Sequence, residues 1–211
     1  MFADLARADL TACRVAVVDA GSGELPVSSI VVAAATHTRT VVSLDAARMR
    51  VDYRDEFADL VSDTDIVLVD AHYGAVSIGV AQSARSRGIP VVLDAGRWKD
   101  VHSELLPLVD IAICSEGFVS GGVHAVHRLG PRYVAITAGS GPIVWSAPDG
   151  AGEIAVPRVD AVDTLGAGDV LHGAFCHFHS AGSAFVDALT QAAAVASESC
   201  RYFGTREWTT R

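Results

Sequence analysis

Val162-Asp163-Thr164-Leu165-Gly166-Ala167-Gly168-Asp169 runs without a break into Val170-Leu171-His172-Gly173-Ala174-Phe175. Two glycines flank an alanine immediately ahead of an amphipathic segment, which gathers bare backbone N–H groups at a helix N-terminus with room for an anion. Asp169 falls in the first turn of the expected helix, where the positive end of the macrodipole favours its ionised form and keeps it competent as a base. The stretch therefore sets an anion hole beside a carboxylate. Read from these residues only, it also fits a plain helix entrance, with glycine for the turn and aspartate for capping.

Downstream, a helix is expected over about 166–180, with Leu171, Ala174, Phe175 and Phe178 on one face. An Ala-rich helix should follow from about Ser183 to Phe203, closed by Gly204 as its C′ residue. Upstream, from about residue 54, a strand-then-helix rhythm repeats. The strands are Asp65 to Asp70, Pro90 to Asp94, Asp110 to Cys114 and Arg132 to Thr137. Each is a nearly continuous apolar run, as strands buried on both faces require, and helix-length segments lie near 54–62, 75–87, 100–107 and 116–129. This pattern predicts a parallel α/β sheet. Ligands of such sheets sit beyond the carboxyl ends of the strands, where this chain places Asp70, Asp94, Ser115 with Glu116, and Thr137 with Gly139. Pro142 to Ser146 and Glu153 to Val156, around a Pro148-Asp149-Gly150 turn, read as a hairpin.

The first 50 residues differ in rhythm. Residues 3–12 suggest a short helix. The runs Val15 to Val18, Val27 to Ala33, Thr36 to Arg39 and Thr40 to Leu44, with a Gly21-Ser22-Gly23 turn, then suggest an antiparallel meander. The expected organisation is an N-terminal helix with β-strands over 1–50 and an α/β body over 51–211, one domain with an appendage.

Composition removes several function classes. A formal net charge of −9 argues against a nucleic-acid partner, because phosphate backbones are bound by basic faces. Half of the chain is hydrophobic, yet the apolar residues form short pieces far below the ~20 residues of a spanning helix, so no membrane partner is expected. Met1 is followed by Asp4 and Asp9 without a basic start or an apolar core, unlike a secretory signal, so the expected location is the cytoplasm. Cys13, Cys114, Cys176 and Cys200 are far apart and read as reduced thiols. There is no Gly-x-x-x-x-Gly-Lys-Ser/Thr, and Gly139-Ser140-Gly141 leads into Pro142 and another strand, so neither a P-loop nor a dinucleotide fingerprint is present.

Asp163-Thr164-Leu165-Gly166-Ala167-Gly168-Asp169 followed by Gly173-Ala174-Phe175 resembles the Asp-Thr-x-Gly-Ala-Gly-Asp signature of the ribokinase-like (PfkB) carbohydrate kinases. Ile136-Thr137-Ala138-Gly139 resembles the strand-end Thr-x-Gly that lies along the nucleotide in that family. Val109 to Glu116 resembles the strand that in many members ends in Asn-x-x-Glu, and Pro26 to Leu44 resembles the family's small β-lid. The resemblance covers about residues 10–205. It implies a ribokinase-like three-layer α/β/α fold with a mostly parallel sheet, and transfer of the ATP γ-phosphoryl group to a hydroxyl of a sugar or sugar-like alcohol. Asp169 would be the base, the amides of Gly166, Ala167 and Gly168 the anion hole, and Thr137, Gly139 and Ser115 the nucleotide side. Mg²⁺ on the phosphates is implied as well. Asp163 and Thr164 would shape the turn or, as in some relatives, a monovalent-cation site. Lid strands that pair across two copies imply a homodimer.

Three departures accompany the match. Ser115 stands where many members have Asn, which resembles the ketohexokinase-like branch. Phe118 stands where they have the motif's Glu, and Glu116 falls on a different helical face, so no metal ligand is assigned. The Gly-Gly-x-x-x-Asn segment that precedes the lid in the family and holds the sugar hydroxyls is not found in these 211 residues. Two rivals to the sugar kinase follow: a silent relative that binds nucleotide or serves as a partner subunit, and a nucleoside or vitamin kinase of the same fold. His124 with His127 read as a surface or partly buried pair; His172, His177 and His179 crowd the motif helix, where His172 is a candidate to approach a phosphate and packing is the favoured reading. Arg97 is a candidate to offset phosphate charge.

Overall fold

The computed structural model of the chain describes residues 2–20, 26–33, 38–43 and 50–210. They form two compact units, Met1–Tyr53 and Arg54–Arg211. The first contains helix α1 (Phe2–Ala12), which buries none of its residues. Strands β1 (Ser29–Ala33) and β2 (Thr38–Val42) form an antiparallel ribbon with Ile30 opposite Val41 and Ser29 opposite Val42. Val15 to Val18, expected as a strand, pairs with no strand among the described residues, so the expected meander reduces there to one ribbon. β-Branched residues favour an extended backbone, but a strand exists only where a partner completes its ladder. The Gly21-Ser22-Gly23 turn, Thr36, His37 and Leu44 lie outside the described residues.

The second unit is built on one six-stranded sheet in chain order: β3 (Val67–Val69), β4 (Val91–Ala95), β5 (Ile111–Ser115), β6 (Tyr133–Thr137), β7 (Ile143–Ala147) and β8 (Gly150–Ile154). β3 to β6 are parallel; β7 and β8 return antiparallel. Helices α2 (Glu56–Val61), α3 (Gly74–Ser86), α4 (His102–Leu105, continued by a 3-10 turn) and α5 (Gly122–His127) fall between the parallel strands or just ahead of them, and α6 (Ala167–Ser180) and α7 (Phe185–Ser199) follow the hairpin. The continuous apolar runs follow from the two cores they serve. Val91, Leu93, Ala95, Ala112, Cys114 and Val134 pack on one face with Leu105, Leu106 and Val126. Their neighbours Val92, Ile111, Ile113 and Ala135 pack on the other with Leu171, Phe175, Ala188 and Leu189. Successive side chains point to opposite faces, so a strand between two helical layers must be apolar at every position. Burying each large side chain contributes about 1.5–3 kcal/mol. This is a three-layer α/β/α fold with a mostly parallel sheet, as the sequence pattern predicts. No described helix is long and apolar enough to cross a membrane.

Three boundaries differ from expectation. The helix expected over 116–129 shrinks to α5, because Gly117, Gly121 and Gly122 adopt φ of +84°, +99° and +63°, a left-handed backbone that interrupts a right-handed helix. β8 begins at Gly150 rather than Glu153: pairing buried Ile143 with buried Ile154 fixes the register and leaves Pro148-Asp149 as the connection. α7 stops at Ser199, so Gly204 (φ +76°) is not its C′ residue. The Cys200 carbonyl is taken by the N–H groups of Val162 and Asp163, at 2.8 and 3.1 Å, which ends the helix against the segment that leads into α6.

Candidate active site

α6 is capped by Gly166, whose φ of +82° lies in the left-handed region. A Cβ there would lie 3.1 Å from the Thr205 methyl, so both backbone and packing call for glycine. Asp163 fixes the approach. One carboxylate oxygen accepts the Leu165 N–H at 2.9 Å and the other accepts the Gly204 N–H at 3.0 Å, tying the turn to the segment after α7. The Thr164 carbonyl accepts the Ala167 N–H at 3.3 Å. Gly168 and Asp169 lie in the first turn, where the helix ladder supplies no carbonyl for their N–H groups. A Cβ on Gly168 would meet nothing within 4 Å, so its backbone faces open space.

The first turn of α6 stands over the carboxyl ends of two central strands. His172, one turn along, has Nε2 3.2 Å from the Ile113 carbonyl of β5, Nδ1 2.7 Å from the Gly168 carbonyl and 3.5 Å from the Asp94 carboxylate of β4. Burial pushes the Asp94 carboxyl above its usual range; His172 opposes this, Asp169 and Asp70 add to it, and His72 opposes it. Asp70, just beyond β3, accepts the backbone N–H of His72 and contacts its ring Nδ1, both at 2.8 Å. Two residues along β5 from Ile113, roughly 7 Å, Ser115 stands directly opposite Thr137 of β6. Thr137 Oγ1 donates to the Cys114 carbonyl at 3.3 Å, and its own carbonyl accepts the Glu116 N–H at 2.8 Å. Gly139 (φ +59°) sits in the turn closed by the Gly141 N–H on the Ala138 carbonyl, with open space where a Cβ would be.

The structure thus brings Gly166, Ala167, Gly168 and Asp169 to the strand ends beside Asp94, and sets Ser115 against Thr137 on the same edge. Asp163 and Thr164 face backbone N–H groups and form the turn. Phe118 is core: it is 4% exposed, meets the His102 ring edge-on with centroids 4.9 Å apart, and lies 5.5 Å from the Trp98 ring. Glu116 and Arg97 are exposed. His127 Nδ1 contacts the Pro131 carbonyl at 2.9 Å, and His179 Nδ1 contacts that of Ser183 at 3.1 Å, which accounts for both as local structure. Among the described residues no cluster of His, Cys, Asp or Glu is placed to hold a metal ion. All four cysteines are free; burial pushes the Cys114 thiol up to about 12, with Asp94 adding to it, and that of Cys176 up to about 11. The sequence alone offers His172 as packing or as a phosphate contact and Asp94 as a strand end on the ligand edge, and does not join them. The legible signal was spacing: His172 is four residues after Gly168, where a helical side chain reaches back to that carbonyl.

A sequence model described as pfkB family carbohydrate kinase matches residues 119–211, which include the α6 turn and the Ile136 to Gly139 segment. A ribokinase of Arabidopsis thaliana is 29% identical over 161 residues, which are 68% of this chain and 42% of that protein. The solved structure of Arabidopsis thaliana ribokinase, complexed with ribose and ATP, superposes with a TM-score of 0.72 at 23% identity over 85% of this chain and 64% of that one. Ribokinase from Thermotoga maritima gives 0.71 at 19% identity, over 86% and 65%. The chain thus spans about two fifths of the plant protein's curated sequence and somewhat under two thirds of these two solved chains.

Proposed function

We propose that this chain is an ATP-dependent small-molecule kinase that transfers the γ-phosphoryl group to a hydroxyl of a sugar or sugar-like alcohol. One observation carries the reading: at the carboxyl edge of the sheet, the open first turn of α6 presents the Gly168 and Asp169 amides and the Asp169 carboxylate together. ATP supplies the phosphoryl group when bound. Asp169 accepts the proton of the attacking hydroxyl as the new P–O bond forms and the bond to the β-phosphate oxygen breaks, releasing ADP. The amides of Gly168 and Asp169 stabilise the charge that grows on the phosphoryl oxygens; of the expected set Gly166, Ala167 and Gly168, the Ala167 N–H is instead engaged by the Thr164 carbonyl. Thr137, Gly139 and Ser115 line the nucleotide side, where Gly139 leaves space for close approach. Ser115 is the feature that aligns the chain with the ketohexokinase-like branch.

Phe118 is buried in an aromatic cluster and offers no ligand to Mg²⁺, and no cluster of metal-binding side chains is placed for it among the described residues, so the ion is proposed only as a companion of the nucleotide phosphates. Asp163 serves the turn, because both of its oxygens accept backbone N–H groups, rather than a monovalent cation. Homodimerisation through the β1–β2 ribbon belongs to the proposal. A two-stranded ribbon is marginal by itself, and Val31, Val41 and Val42 are 63%, 52% and 66% exposed. A cytoplasmic setting suits four free cysteines.

The apolar Phe118 favours a second reading, nucleotide binding without turnover. Incubating the full chain with Mg-ATP and a panel of ketoses, aldoses and nucleosides, with ATP affinity measured by calorimetry, separates the two. Turnover that falls about 10²–10⁴-fold in Asp169→Asn, with ATP affinity held within a few-fold, supports the kinase. Intact affinity without turnover on any acceptor supports the second reading, and no ATP binding refutes both.

A further inference from the structure

His172 is a buried titratable side chain to which the proposed phosphoryl transfer assigns no task. It is 7% exposed, and both ring nitrogens face backbone carbonyls: Nδ1 that of Gly168 at 2.7 Å, Nε2 that of Ile113 at 3.2 Å. A carbonyl only accepts, and a neutral imidazole carries a single N–H, so the neutral ring satisfies one contact and turns a lone pair toward the other oxygen. A ring with N–H on both nitrogens satisfies both. That ring is a cation, and a buried charge persists when a counter-charge and hydrogen bonds accompany it. The Asp94 carboxylate, 3.5 Å from Nδ1, supplies the counter-charge. Asp169, Asp70, His72 and the Cys114 thiol are the other ionisable groups around Asp94.

The consequence reaches the anion hole through one peptide unit. The Gly168 carbonyl and the Asp169 N–H belong to the same planar trans peptide and point in opposite directions, so gripping the oxygen aims the N–H. Gly168 lies inside α6, so its carbonyl runs along the helix axis and the Asp169 N–H points to the open N-terminal end; the ring's hold on that oxygen adds to the helix's own geometry in fixing this peptide. We infer that His172, with N–H on both ring nitrogens and Asp94 as its counter-charge, is a positioning residue that clamps the first turn of α6 to β5 and sets the Asp169 amide and carboxylate. The clamp deepens the reading of Gly166 to Asp169 as the phosphoryl site and rests on it for its purpose, while its geometry can be tested without any acceptor.

The experiment uses the full chain. Nitrogen-15 NMR of the histidine rings at neutral pH, with the His172 signals assigned by their loss in His172→Asn, should show both nitrogens protonated; a neutral single-tautomer signature overturns the inference. Amide hydrogen exchange should be about tenfold faster at Ala167 and Val170, whose N–H groups donate to the Thr164 and Gly166 carbonyls, in His172→Leu, the loss of roughly one charge-assisted hydrogen bond. Asn, which keeps a donor toward Gly168, should recover most of the protection. Equal protection in wild type and His172→Leu overturns the clamp, and if that variant does not fold, the ring spectrum and the His172→Asn exchange decide the matter. ATP affinity should fall about tenfold in His172→Leu, and an unchanged affinity in a folded variant refutes the link to the anion hole. Failure of the wild type to bind ATP would defeat the kinase reading, while the spectra and exchange rates would still judge the clamp.

Discussion

Replacing Gly168 by alanine separates stability from function, because the two should move in opposite directions. Gly168 lies inside α6 with an ordinary helical backbone, and an added Cβ would meet nothing within 4 Å. The methyl group therefore brings no clash, and it removes conformational freedom from the unfolded chain, a stabilisation of about 0.5–1 kcal/mol. For a chain of this size that corresponds to a rise of roughly 1–4 °C in the unfolding midpoint. The same open space is where an anion would approach the first-turn amides. A methyl group there holds the phosphates away, and losing one charge-assisted hydrogen bond of about 1.5–3 kcal/mol weakens ATP binding roughly 10–100-fold. Thermal unfolding followed by circular dichroism and ATP titration by calorimetry read the two effects without knowledge of the acceptor. A lower midpoint would refute the backbone argument; an unchanged ATP affinity would refute the placement of the phosphates.

Two further outcomes follow from the loop and from the strand-end acids. Asp163→Ala removes the acceptor for the Leu165 and Gly204 N–H groups, and should lower stability by about 2 kcal/mol, read as a drop of roughly 4–8 °C in the unfolding midpoint; a midpoint unchanged from wild type would show that the turn holds without it. The Asp94 carboxyl is held above its ordinary value of 3.8 chiefly by burial. The folded state therefore keeps this proton more tightly than the unfolded state, so Asp94's contribution to stability is greatest below pH 3.8 and declines as pH rises through its folded-state titration. Asp94→Asn should remove that decline, giving a flatter plot of unfolding midpoint against pH just above 3.8, and an identical slope in the variant would contradict the assignment.

The body of the fold was legible because its sheet is buried on both sides. Val91-Val92-Leu93 and Ile111-Ala112-Ile113 must be apolar at every position, and such runs, spaced by helix-length segments, fit a strand between two helical layers far better than a half-exposed one. Helix ends were less legible. Nothing local marks Ser199 as the last residue of α7, since the Cys200 carbonyl is claimed by Val162 and Asp163, which lie far upstream in the chain. The glycines at 117, 121 and 122 were visible, but a glycine in a helical pattern signals freedom, and only the packed chain shows that the freedom is used. In the sequence Phe118 is a departure from a carboxylate pattern; its burial against His102 and Trp98 makes that departure part of the core.

The residues of the α6 turn are consecutive, so the sequence by itself determined that an acid follows a bare glycine backbone at a helix start. What surrounds that turn comes from strands separated by tens of residues. Only the tertiary structure decided that Ser115 stands opposite Thr137, that Asp163 reaches Gly204, and that His172 lies between Gly168, Ile113 and Asp94. The physical reason is that a helix start is a local property of backbone dihedrals and capping, whereas the partners of a buried polar side chain are set by strand register and by the helical layer packed against it.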